Sequence, residues 1–176
     1  MRIRSLLALL LSVPLTSACS SSTDERQPIT STPQDYCQRA CAKAHTCFDT
    51  TDPAECRSAC QAKLTAGPQL RADFLGYVAG CIEESACSSM STSKCKSEAQ
   101  AQLSSSPYGK TVCSAFLATG AQCDPSGASY PETDCLQAAK SYDDSSLKIA
   151  NDCLANSCTT LSACLTQAIP DVTLTP

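Results

Sequence analysis

The chain has 176 residues and a net charge of −4, with one His, three Phe, no Trp and fifteen Cys. The acidity excludes a nucleic-acid binder, which needs a basic face to neutralise phosphates. The shortage of large apolar side chains excludes a thick conventional core, so the fold must be held by disulfides in an oxidising compartment.

Taken in order, the chain opens with Met1-Arg-Ile-Arg4, a positive stretch, followed by an apolar run at 6–15 that Ser12 and Pro14 interrupt. The run is too short to span a bilayer and reads as a signal peptide, residues 1–18. Its end, Thr16-Ser-Ala18 before Cys19, resembles the lipobox of bacterial lipoproteins, although Thr16 stands where that family prefers Leu. The resemblance implies cleavage before Cys19 and lipidation of its thiol. The alternative is ordinary cleavage after Ala18 that leaves a plain thiol. Parity separates the two: fifteen cysteines are odd, and assigning Cys19 to lipid leaves fourteen for seven disulfides. By analogy with enterobacterial lipoproteins, Ser20 in place of Asp points to the outer membrane. Residues 19–34 read as the lipidated Cys and a disordered polar tether, spanning about 20 Å.

The stretch 37–60 organises the rest. It holds two Cys-x3-Cys pairs, Cys37/Cys41 and Cys56/Cys60, across a short turn. Positions i and i+4 share a helix face, so two antiparallel helices bring four sulfurs into register as Cys37–Cys60 and Cys41–Cys56.

The pattern then repeats. Cysteines at 37, 47, 60, 81, 87 and 95 have counterparts at 113, 123, 135, 153, 158 and 164, while Cys41 and Cys56 have none. Losing both together is what a disulfide would do, which supports the hairpin pairs and adds Cys113–Cys135. A rival alignment sets Asp134-Cys135 on Glu55-Cys56. The other segments show helical spacing: Leu70, Phe74, Val78 and Ile82; Val112, Phe116 and Leu117; Leu147, Ala150 and Leu154; Leu161, Leu165 and Ile169. Ser91-Thr-Ser93 and Asp143-Asp144-Ser145 read as helix caps. No alternating β-branched stretch suggests a strand.

The expected fold is therefore all-α: two tandem disulfide-stapled helical units of four short helices each. Unit 1 is placed at 35–104 and unit 2 at 105–170, with the run SSSP at 104–107 as boundary and 171–176 as a tail. An up-down arrangement in each unit then suggests Cys47–Cys87 with Cys81–Cys95, and Cys123–Cys158 with Cys153–Cys164. Four cysteines allow three pairings, so spacing alone leaves the others open.

Chemical motifs are sparse. Tight Cys-x2-Cys pairs for zinc are absent, as are Cys-x-x-Cys for redox exchange and Cys-x-x-Cys-His for haem, so no metal or cofactor is expected. The Cys-x3-Cys and Cys-x9-Cys spacings loosely resemble the twin-cysteine helical hairpins of the mitochondrial intermembrane space, in another compartment. His45 is the one histidine any triad would have to use, and it reads as a helix-end residue. Glu83-Glu84 and Asp143-Asp144 read as solvated surface rather than a sugar-hydrolase acid pair. Tyr77, Tyr108, Tyr130 and Tyr142 are scattered candidates for interface anchors.

In composition and layout the chain resembles small Cys-rich envelope lipoproteins of myxobacteria, some of which serve surface gliding. That resemblance implies a non-enzymatic outer-membrane lipoprotein, anchored by its N-terminal lipid, that binds or braces other envelope proteins. The alternatives are a secreted redox or metal-binding protein and an enzyme accessory. Oligomeric state is open.

Overall fold

The structure, a computed structural model, describes residues 30–49, 52–123, 131–169 and 174. The expected signal peptide and the lipidation site Cys19 lie outside these residues. The described chain is all-helical: α1 (Pro33–Cys47), α2 (Pro53–Ala66), α3 (Ala72–Glu84), α4 (Thr92–Gln102), α5 (Pro107–Cys123), α6 (Glu132–Ala139), α7 (Asp144–Cys153) and α8 (Cys158–Ala168). A single 3₁₀ turn, Cys87–Ser89, precedes α4. Among the described residues there is no strand, only one isolated antiparallel bridge between Leu70 and Tyr142.

Local chemistry explains where the helices begin. Thr32 and Asp35 form a reciprocal capping box around Pro33, and Asp52 accepts from the N–H groups of Ala54 and Glu55 ahead of α2. Ser91 caps α4 and Asp143 caps α7. This moves one boundary. The first unit begins at Thr32 rather than 35, because the capping box and Pro33 start the helix inside the segment assigned to the tether. Ser31 is also buried, with its N–H donating to the Ala72 carbonyl at 2.8 Å.

The two units are built alike. In the first, α1 packs on α2 and on α3, and α3 packs on α4; in the second, α5 packs on α6 and on α7, and α7 packs on α8. The first core is continuous and centres on Tyr36, Phe74, Leu75, Val78 and Ile82, all fully buried, with Cys37, Cys41 and Cys95. Burial of a large apolar side chain contributes about 1.5–3 kcal/mol, and few are present, so the sulfurs themselves fill much of the interior. The second core is in two parts, one around Val112, Tyr142 and Leu147 and the other around Ala150, Cys153 and Leu161.

The units join through corresponding segments, the links before α3 and α7. The Arg71 N–H donates to the Ser141 carbonyl at 3.0 Å, and the Asp143 N–H donates to the Gln69 carbonyl at 3.1 Å. Counted from the starts of α3 and α7, Gln69 matches Ser141 and Arg71 matches Asp143, so the two bonds are reciprocal. The junction thus has the self-complementary form of a two-fold interface within one chain. Buried Ser146 accepts from the Gln69 N–H at 2.7 Å and donates to its carbonyl at 3.2 Å. The Gln100 side-chain amide donates to Ser141 at 2.8 Å, and Lys140 Nζ donates to the Gln100 carbonyl at 2.9 Å. Ser146→Ala should destabilise the protein by about 1 kcal/mol, because the partly buried Gln69 N–H loses its acceptor. Hydrogen exchange of the Gln69 amide should rise well before that of the α1 amides; equal rates would show that the junction is not a separate weak point.

The tail also needs correction. Leu174 is buried in the first unit's core, and the Tyr36 hydroxyl lies 3.5 Å from its carbonyl. The chain end therefore returns from unit 2 to unit 1, because a leucine finds there the apolar surface that the helices alone do not cover.

Candidate functional site

The cysteine frame is the feature into which most of the chain is organised. In unit 1, Cys37–Cys60 and Cys41–Cys56 tie α1 to α2, Cys81–Cys95 ties α3 to α4, and Cys47–Cys87 ties the end of α1 to the turn after α3. In unit 2, Cys113–Cys135 ties α5 to α6, Cys153–Cys164 ties α7 to α8, and Cys123–Cys158 ties the end of α5 to the start of α8. The structure brings together each pair that the spacing and topology suggested. Cα separations run from 5.1 Å for Cys47–Cys87 to 5.8 Å for Cys41–Cys56, inside the span a disulfide bridges without moving the backbone. Three bridges of each unit correspond. The fourth, Cys41–Cys56, is matched in unit 2 by Leu117 and Pro131, neither of which can bridge.

Seven disulfides between helices fit an oxidising, extracytoplasmic location. No helix among the described residues is long and apolar enough to cross a membrane.

The titratable residues do not converge. His45 is exposed in the last turn of α1, where a cation suits the helix dipole. Its charge reaches Asp52, whose carboxyl is held below the usual carboxylate range mainly by the Ala54 and Glu55 N–H groups and to a smaller degree by His45 and Arg57. Glu83 and Glu84 are separate. Glu83 accepts from Arg39 through both carboxylate oxygens, with Nε to Oε1 at 2.8 Å, and Lys43 donates to the Glu83 carbonyl at 3.0 Å. Asp143 caps α7, while Asp144 accepts from the Ser106 hydroxyl at 2.7 Å. No group of three or more His, Cys, Asp or Glu among the described residues has the geometry to hold a metal ion.

The Arg39 hydrogen bond, aided by the positive charges of Arg39 and then Lys43 and opposed by partial burial, draws the Glu83 carboxyl below its ordinary value of 4.5. A lowered folded-state pKa gives stability that is complete above 4.5 and lost as pH falls through the folded value. Glu83→Gln should therefore lower stability near neutral pH, by no more than about 1 kcal/mol because both groups are partly exposed. The gap between the two proteins should narrow as pH falls below 4.5 and close once it is below the lowered Glu83 value, whereas a gap undiminished at the acid limit would assign the loss to packing.

Of the four tyrosines singled out, Tyr142 is buried at the junction, Tyr77 and Tyr108 are half-buried against the cores, and Tyr130 lies outside the described residues. Tyr36 escaped that list although it is fully buried. Its signal was present: Tyr36, Ala40 and Ala44 recur every fourth residue on the face of α1 that meets the core.

Three concavities are lined by described residues alone. A polar cleft of about 300 Å³ runs between α1 and α2 past Gln34, Gln38, Arg57, Ser58 and Gln61. A mixed one of about 370 Å³ lies by Leu64, Gly67, Leu70 and Leu75. A smaller apolar one of about 120 Å³ lies within unit 2. Comparison of the chain with protein-family models, with curated proteins and with solved structures finds no match.

Proposed function

We propose that this protein is a non-enzymatic lipoprotein of the bacterial envelope, anchored through lipid on Cys19 in the outer membrane. Its two-unit helical body would be a rigid binding or bracing component of a cell-surface assembly, with envelope proteins as partners and no nucleic acid. In the version closest to the myxobacterial lipoproteins it resembles, that assembly would serve gliding. Support comes chiefly from the covalent frame: every helix carries at least one inter-helix disulfide, so the body keeps its shape where large apolar residues are few. Rigid surfaces lose little conformational entropy on binding, which suits a scaffold. The dispersed titratable groups support a non-catalytic role.

The test is Cys19→Ser in the native host, followed by fractionation and by site-specific photo-crosslinking from the exposed faces. The proposal expects wild type in the outer-membrane fraction, the variant released, and discrete envelope-protein adducts formed by wild type. His45→Ala should leave those adducts unchanged. Equal membrane retention of both proteins contradicts the lipid anchor, and loss of activity in His45→Ala contradicts the non-catalytic reading.

A further inference from the structure

We propose that unit 2 contains a binding pocket for an uncharged apolar group the size of one ring or a short alkyl end. The pocket has a volume of about 120 Å³, opens partly to solvent, and lies between the two parts of the second core. Its walls include Val112, Phe116, Ala139, Leu147, Ala150 and Leu165.

The repeat accounts for part of the space, although Phe116 and Tyr142 are larger than their counterparts Ala40 and Leu70. Aligned on their flanking cysteines, Val112 stands where unit 1 has Tyr36, Ala139 where it has Leu64, and Ala150 where it has Val78. Each is smaller than its counterpart. The nearby position of Phe74 is taken by Ser146, which is committed to the Gln69 backbone at the unit junction. Unit 1 also receives Leu174, fully inside its core, from outside its four helices, whereas unit 2 receives from beyond its helices and the links between them only the partly buried Leu70 and Ile169 among the described residues.

Small-for-large replacement usually costs stability unless the surrounding helices close in. Here the walls are fixed: Cys113–Cys135 holds α6 on α5, Cys153–Cys164 holds α8 on α7, and Cys123–Cys158 spans from α5 to α8. A pocket that cannot collapse persists. One of comparable size, about 150 Å³ and lined by Leu, Ile and Phe, stays dry and binds benzene or xenon in another protein. Size and lining also define the occupant. A space of 120 Å³ is well below the roughly 300–1,000 Å³ of drug-sized ligand sites, so it takes one ring or one chain end. The walls are almost wholly apolar, with the Tyr142 hydroxyl as the one side-chain polar group among the lining residues, so they do not suit a charged group.

The test uses the mature chain with Cys19→Ser, with benzene and sodium octanoate as separate probes and methyl NMR as readout. Saturable shifts are expected at Val112, Leu147 and Leu165, with Leu75 and Val78 of unit 1 unmoved. Benzene alone would indicate a free ring compound as the natural class, and octanoate an acyl end. The double variant Ala139→Leu/Ala150→Val restores the residues of unit 1 and should abolish the shifts while raising the melting temperature. No saturable shift with either probe overturns the proposal. So do undiminished shifts in the filled variant, provided its unit 1 methyl spectrum matches wild type.

Discussion

Reduction of the seven disulfides will unfold the helical body without added denaturant. Each bridge closes between 11 and 40 residues, which limits the unfolded chain and contributes roughly 2–4 kcal/mol. Net stability of a typical domain is about 5–15 kcal/mol, so a few bridges already match it. Little else can compensate. The helices are 8 to 17 residues long, a length at which an isolated helix is marginal in water, and the large buried side chains are few. Far-ultraviolet circular dichroism after reduction and alkylation should show loss of most helical signal and of the cooperative thermal transition. A reduced protein that still melts cooperatively would mean that apolar packing alone specifies the fold.

The second large effect distinguishes bridges that look alike. Cys113→Ala with Cys135→Ala should be far more damaging than Cys41→Ala with Cys56→Ala. The first pair is the sole disulfide between α5 and α6, and α6 has only eight residues with no side-chain cap. Its loss should cost about 2–4 kcal/mol and free α6 from the second core. The second pair sits inside the loop already closed by Cys37–Cys60, so it adds a smaller entropic restraint. Unit 2 lives without its counterpart. Urea denaturation should rank the two double variants in that order; the reverse order would mean that buried sulfur packing at Cys41, rather than chain restraint, sets the value of a bridge.

Much of this frame was legible in the sequence because cysteine spacing carries both helical phase and pairing. The i, i+4 spacing of Cys37/Cys41 and Cys56/Cys60 dictates a stapled hairpin, and the joint absence of two cysteines from the second copy marks a bridge. The boundary at 104–107 was equally plain, falling between α4 and α5. What spacing could not convey is non-periodic. The junction at 69–71 and 141–143 is made by backbone groups of short links, which any residue can supply. Leu174 and Val172 are the only large apolar residues in the short stretch after Ile169, too few to show a period, so nothing local announces the burial of Leu174 against Tyr36. The capping box at Thr32 was readable, yet the Ser, Thr and Pro around it drew the segment into the tether. The pocket arises in part from differences between the copies at Val112, Ala139 and Ala150, which become visible only once their shared frame is known.

The measurement that bears most directly on the two-unit disulfide frame is non-reducing peptide mapping by mass spectrometry of the mature protein from its native host. After alkylation without reductant, fourteen cysteines should be unmodified and recovered as the seven linked pairs, with Cys113–Cys135 and Cys37–Cys60 as matching members of the two copies. Alkylated thiols among those fourteen, or a crosslink joining a cysteine of 37–95 to one of 113–164, would contradict the frame.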